Sequence, residues 1–312
     1  MSESTRWLKP EMIALDASSV LFTIHGDGVK DVEPIEMGEL SRVFRYTFDA
    51  KRYVVQFRAS DESFRKADVV HRLFGTVLPV PRVVARGDSS GLKYCITELI
   101  EGVPASSVVK SGDEPVVAEI VEFLIRKNAI AIAPERGFGG ISSDGTAPDA
   151  SWSNALRSVF REPTAGAYEN WTELFATGAL DRPLFSDGLA AMSELLNRAP
   201  AQPYLVHGDF HLGNMIVDGE RVNGIVDWEF AMYGDFVFDV ATMEFWNPAL
   251  GFAARVLESL RRVGEDPPHF TDRLTCYEMY GALVDMRFFA HRGERRKYES
   301  VRRKLIELLG SA

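Results

Sequence analysis

Only two cysteines occur among 312 residues, Cys95 and Cys276, and they lie in unrelated apolar stretches. That scarcity excludes a disulfide framework and a thiolate metal site, and leaves two reduced, buried thiols as the expectation. Long apolar runs are missing too. Nothing approaches the roughly 20 consecutive residues of a membrane span, and the segment Met1 to Asp16 has neither the basic start nor the apolar centre of a secretion signal. A cytoplasmic protein with no membrane partner is expected. Positive charge is in deficit: 35 Lys and Arg stand against 45 Asp and Glu, a net charge of -10. Such a surface repels phosphate backbones, which argues against nucleic acid, and it suits a cationic small molecule. Repeats and low-complexity tracts are absent as well. What is present, 46% apolar and 26% charged residues, can bury a sizeable core in two lobes of a monomer or homodimer.

The informative stretch runs from Leu205 to Trp228. Apolar Leu205 and Val206 lead into His207-Gly208-Asp209-Phe210-His211-Leu212-Gly213-Asn214, and a second apolar run follows. Asp218-Gly219 then makes a hairpin turn, and a third run, Gly224-Ile225-Val226, delivers Asp227. Phosphoryl transfer from Mg-ATP asks a protein for a residue that orients the attacking hydroxyl and for hard oxygen ligands to magnesium. Asp209 fits the first role, because a carboxylate at a loop tip can accept the hydroxyl's proton late in the reaction. Asn214 offers the metal a neutral oxygen and Asp227 an anionic one. Taken singly, each has a plainer reading: a turn cap, the start of a strand, the end of one. His207, in a tight loop, reads as a brace for it, and His211 as loop surface.

The pattern H-G-D-x-x-x-x-N followed by I-V-D-W resembles the aminoglycoside phosphotransferase and choline kinase group of small-molecule kinases. The run from Asp227 to Asp235, the pair Phe245-Trp246, Gly137-Phe138-Gly139 and Ser151-Trp152 are similar to hygromycin B kinases within that group. The likeness follows nearly the whole chain in the order of its parts, although only the catalytic block is specific. It implies an α+β, bilobal, protein-kinase-like fold, ATP or GTP as donor and Mg2+ as cofactor. It also implies Asp209 as catalytic base, Asn214 and Asp227 as magnesium ligands, and Asp239, with His207, as support of the loop.

Along the chain, an N-terminal helix is followed by strands at Val32 to Met37, Val43 to Phe48 and Arg52 to Arg58, a helix from Ser63 to Phe74 capped by the Ser63 hydroxyl, and strands at Val83 to Arg86 and Lys93 to Leu99. Helical periodicity then appears around 114–130, 151–161, 186–198, 250–263 and 270–309. The boundary falls near Glu101-Gly102, giving an N-lobe at 1–100 and a C-lobe at 101–312. The Pro, Gly and Ser-rich stretch from Ala133 to Ala150 reads as a mobile loop.

The resemblance places a phosphate-covering loop at Met37 to Ser41, with Gly38 bringing amides to the phosphates and an ordinary hairpin turn as the competing reading, and a hinge at Thr97 to Ile100 whose backbone at Glu98 and Ile100 would meet adenine. Its phosphate-binding lysine falls on Gln56, which has no charge to offer. Strand alternation puts Val54, Gln56 and Arg58 on one face and Tyr53, Val55 and Phe57 on the other, against the following helix. Arg58 is therefore one substitute cation. Lys66, where the resemblance expects the partner glutamate, is the other, unless its long stem carries it past the helix edge to water.

Glu229, Asp235, Glu244, Trp246, Glu278 and Asp285 follow the catalytic block and are the candidate acceptor residues, with solvated or core roles as the alternative. Three functions remain open: O-phosphorylation of an aminoglycoside-like acceptor, the same chemistry on a metabolite such as an amino alcohol, amino acid or sugar, and a nucleotide-binding scaffold without turnover.

Overall fold

The computed structural model describes residues 9–36, 40–110, 114–162 and 169–311. Helix α1 (Ala14–His25) precedes strands β1 (Lys30–Ile35), β2 (Arg42–Phe48) and β3 (Lys51–Arg58), then helix α2 (Glu62–Phe74) and strands β4 (Val83–Ser89) and β5 (Leu92–Glu98). These strands form one antiparallel sheet in the order β1-β2-β3-β5-β4. Alternation sets its faces: Tyr53, Val55 and Phe57 are buried on β3, while Val54, Gln56 and Arg58 are half-buried. The buried face meets α1, not the following helix expected from sequence. Ala17, Val20 and Leu21 pack there with Phe44, Tyr46, Tyr53, Val55, Phe57 and Ile96. Helix α2 turns its stripe of Val69, Val70 and Phe74 to the larger core of the helical half instead. Its start differs too: Asp61 occupies the cap position, and the Ser63 hydroxyl is buried with no partner among the described residues.

The rest is mainly helical. Strand β6 (Val103–Pro104) and helix α3 (Ala105–Val108) lead to α4 (Glu114–Asn128), β7 (Gly139–Gly140), α5 (Trp152–Ser158), α6 (Glu173–Ala176) and α7 (Arg182–Leu195). Strands β8 (Tyr204–Val206), β9 (Met215–Asp218), β10 (Arg221–Ile225) and β11 (Met232–Gly234) frame the polar loop. Helices α8 (Val237–Trp246), α9 (Phe252–Arg262), α10 (Phe270–Arg292) and α11 (Arg295–Ser311) complete the chain. The single helix expected over 270–309 is two, because Gly293 takes a left-handed φ of 68° and ends α10. Helix α8 has no counterpart among the expected ones; it is buried on nearly every side and so shows no amphipathic period. The stretch Ala133 to Ala150 is held along its length and is not a free loop. Phe138 and Asp149 exchange backbone bonds, β7 pairs with β11, and the Tyr233 hydroxyl reaches the Gly145 carbonyl at 3.1 Å.

The sheet joins the helical half at Leu99 to Gly102, where Ile100 lies directly on β10. A Cβ at Gly224 would come within 2.1 Å of the Ile100 side chain, so only glycine lets the crossing segment settle there. Cys95 and Cys276 are free and buried. Among the described residues no helix is long and apolar enough to cross a membrane.

Candidate active site

Beneath the polar loop, backbone groups and charges are tied together without solvent. Asp239, in the first turn of α8 and fully buried, accepts from the amides of His207 (2.9 Å) and Gly208 (3.0 Å). Lys127 of α4, equally buried, stands 3.0 Å from the Asp239 carboxylate and donates to the Leu205 carbonyl at 2.5 Å. Burial pulls the Lys127 ammonium below its ordinary pKa and Asp239 opposes that shift. The His207 ring is a strut. Its Nδ1 accepts from the Asp209 amide (3.2 Å), so the proton sits on Nε2 and is donated to the Val226 carbonyl (3.0 Å). Burial holds its pKa below the ordinary value, which keeps this neutral tautomer. Gly208 makes the loop possible: its φ is 85°, and a Cβ would lie 2.3 Å from the Phe230 carbonyl oxygen.

On this base the loop presents Asp209. Asn214 Nδ2 donates to the Asp209 carboxylate at 2.9 Å and to its carbonyl at 3.0 Å. His211 Nε2 lies 3.3 Å from the same carboxylate oxygen, so His211 is part of the site and not only loop surface. Burial raises the Asp209 pKa, but His211, His207 and Asn214 outweigh it and hold the carboxyl below its ordinary value. Oδ1 of Asp209 has no partner among the described residues. With its amide nitrogen so engaged, Asn214 has its carbonyl oxygen left for a cation.

Asp227 is joined to this loop through the Val226 amide, which donates to the main-chain carbonyl of Asn214 at 2.9 Å and leaves its side-chain oxygen untouched. Just past the end of β10, Asp227 takes a left-handed φ of 63°. Solvent reaches Asp227 there, but the surrounding protein and the charges of Glu229 and Asp209 raise its carboxyl pKa, with Arg58 and His211 pulling the other way. Three carboxylates therefore crowd one opening.

From the sheet side, Arg58 reaches Glu229 through Nη1, with the two side chains 13% and 16% exposed. Glu229, expected at the acceptor, is thus engaged across the cleft by β3. Helix α2 packs across the turn at Trp228–Phe230 and puts Lys66 in the field of the same carboxylate. Burial lowers the Lys66 pKa, while Glu62 and Glu229 favour its charge. Lys66 turns inward, not to open water: its ammonium would lie 3.6 Å from a Cβ built on Gly140. Gln56 sits between Val43 and Cys95 on the half-buried face. Glu98 sends its carboxylate to Arg82 (2.6 Å), leaving only its backbone for the cleft. Ser41 is 6% exposed at the entry to β2, so a phosphate would have to displace protein to reach its hydroxyl. Gly38 lies outside the described residues.

The remaining acceptor candidates separate. Asp235 does not face a ligand: it is fully buried, bonded to Arg273 at 2.5 and 2.7 Å and to the Tyr277 hydroxyl at 2.6 Å. Glu244 accepts from the Ala253 amide at 2.9 Å at the start of α9. Glu278 and Asp285 lie in the field of Lys304 of α11, whose ammonium lies 5.2 Å from the centre of the Trp246 ring, and Glu244 acts on Glu278. Burial and Glu244 push the Glu278 carboxyl up to about 7. The cation expected from an acceptor is thus already supplied by the protein. Lys127, Arg273 and Lys304 escape sequence reading because each sits on a helix far along the chain from its partner. His211, adjacent to the motif, carried a usable signal.

A model of the phosphotransferase enzyme family matches residues 31–269, over three quarters of the chain. The chain belongs to this family. Among known proteins it is 27% identical over 294 residues to hygromycin-B 4-O-kinase of Escherichia coli, covering 90% of this chain and 82% of that one. The crystal structure of aminoglycoside phosphotransferase APH(4)-Ia superposes with a TM-score of 0.80 at 22% identity, over 96% of this chain and 99% of the other. A thermostable mutant of that protein, in ternary complex with AMP-PNP and hygromycin B, gives 0.78 at 22% identity, over 94% and 97%. Macrolide 2'-phosphotransferase type I gives 0.64 at 18%, over 95% and 98%. The protein-kinase-like, α+β fold of this phosphotransferase is established by these superpositions.

Proposed function

We propose that this phosphotransferase moves the γ-phosphoryl group of ATP or GTP to a hydroxyl of a small aminoglycoside or aminocyclitol-like molecule. The carrying observation is that Asp209, Asn214 and Asp227 belong to one bonded loop system: Asn214 donates to Asp209 at 2.9 Å, the Val226 amide beside Asp227 donates to the Asn214 main-chain carbonyl at 2.9 Å, and Asp227 lies in the field of Asp209. Asp209 orients the acceptor hydroxyl through its unpartnered Oδ1. The acceptor oxygen bonds to the phosphorus as the bond to the nucleoside diphosphate breaks, and the hydroxyl proton passes to Asp209. Asn214 and Asp227 would hold Mg2+, which neutralises phosphate charge when bound. The donor set fits: Asp227 and Asn214 are hard oxygen donors, and besides burial the charges of Glu229 and Asp209 raise the proton affinity of Asp227, a local negative field that a divalent cation would relieve. Glu98 and Ile100 would meet the adenine through their backbones, and Asp239 and His207 hold the loop.

The relatives' names support the acceptor class, as hygromycin-B kinase and APH(4)-Ia stand among them. A neutral or weakly cationic metabolite is the second reading, favoured by Lys304 within the Glu244 and Glu278 group. Incubating the purified protein with Mg-ATP and a panel of aminocyclitols, sugars and amino alcohols, with phosphate transfer followed by 31P NMR, tests both. Transfer to aminocyclitols supports the first reading and transfer only to metabolites the second. Nucleotide binding with transfer to none would leave a scaffold.

A further inference from the structure

The lysine position on β3 is held by Gln56, so the phosphates of a donor nucleotide lack their expected cation. Arg58 from β3 is ion-paired with one carboxylate, Glu229, and Lys66 from α2 lies in the field of that same carboxylate. Resting on the reading above, we propose that they divide the work: Arg58 exchanges Glu229 for the nucleotide's phosphate oxygens, and Lys66 stays to neutralise Glu229. Glu229 is then a built-in competitor for Arg58 that sets nucleotide affinity, a positioning residue and not a metal ligand.

Four observations carry this division. Arg58 stands on the same half-buried face of β3 as Gln56, two residues further, so a phosphate near position 56 is within reach of its long side chain. Its guanidinium is under-used: Nη1 meets Glu229, yet Nε is buried with no partner among the described residues. A planar fork with one arm bonded and a buried donor unpaired gains from an anion that takes two of its N–H groups at once, as phosphate does. Third, Glu229 is two residues past Asp227, so an unpaired Glu229 would repel a triphosphate held at Asp227. Arg58 can leave only if another cation remains, and Lys66 is inward, beside Gly140 and in the field of Glu229. Fourth, the two cations come from different elements of the sheet half while the anion comes from the turn at Trp228–Phe230, so the exchange couples nucleotide occupancy to contact between the halves.

Titration of Mg-AMP-PNP into the full-length protein by calorimetry, with KM for ATP and kcat on the active acceptor, tests the exchange. R58Q should weaken nucleotide binding about tenfold to a hundredfold, and R58K should restore part of it. E229Q should tighten binding about three- to tenfold by freeing Arg58, since a competitor lowers apparent affinity by the fraction it occupies. The same E229Q change should do nothing in an R58Q background. K66A should weaken binding less than R58Q, and E229Q should cancel that loss. A structural ion pair instead predicts that E229Q leaves affinity unchanged or weakens it, and either result overturns the proposal. Equal losses in K66A and R58Q, with no relief from E229Q, would make Lys66 the phosphate ligand and also overturn it. Should R58Q fail to fold, as judged by thermal unfolding, E229Q alone decides. Absence of nucleotide binding in the wild type overturns this proposal together with the functional reading, whereas binding without variant differences overturns this proposal alone.

Discussion

The charges below the catalytic loop and those above it follow opposite rules. Below, Lys127 with Asp239 and Arg273 with Asp235 are fully buried, and each carboxylate oxygen has its donor: 2.9 and 3.0 Å to backbone amides in one case, 2.5 and 2.7 Å to a guanidinium in the other. Above, Asp209, Asp227 and Glu229 crowd together, Arg58 keeps a buried nitrogen unpaired, and proton affinities are pushed in both directions. A buried ion pair is stable only when every lone pair is answered, so the lower set is rigid. The upper set is unanswered where a charged ligand would complete it. Rigidity and reactivity are thus stacked about one loop, with His207 as the link: its ring spans Asp209 and Val226 and its amide rests on Asp239.

The comparison breaks first at Asp239. D239A strands the Lys127 ammonium and two amides in the core, and should cost about 3–5 kcal/mol of stability by chemical denaturation; a loss near zero would mean the lower set is not the rigid one. At Asp209 the outcome should be reversed. D209N should cut transfer roughly 10²- to 10⁴-fold, with a loss of unfolding free energy smaller than that of D239A, since the carboxylate held by His211 and Asn214 gives up only its charge. A D209N protein that is active but unstable would exchange the two roles.

The smallest effect sharpens the contrast at a third place, Glu278, which lies in neither set. Its folded pKa of about 7 is above the ordinary 4.5, so the native state holds more protons than the unfolded one between those values. Stability from this group is therefore present below pH 4.5 and lost as pH rises to 7, with no further change above. E278Q should flatten that slope and raise the thermal midpoint at pH 8 by roughly 2 °C, a modest figure because Glu278 is only half-buried. An E278Q melting profile with the wild-type pH slope would show that Glu278 is not the group responsible.

Much of this was readable residue by residue. Alternating apolar positions gave β3 its two faces, Asp218-Gly219 gave the β9–β10 turn, and the order of apolar runs put Asp209, Asn214 and Asp227 at adjoining ends. Readings failed where a partner lies far along the chain. Asp235 and Glu229 both read as acceptor candidates because their partners, Arg273 and Arg58, lie 38 and 171 residues away. The inner face of β3 was assigned to the wrong helix, since periodicity reports that a face is buried and not against what.

By itself the amino-acid sequence determined the local geometry that requires no partner: strand faces, turns, the glycine at 208 and the spacing of the loop's polar groups. Tertiary structure alone decided which charges meet. Pairing energies depend on distances and solvent exclusion across the folded chain, and neither is encoded in the spacing of residues along it.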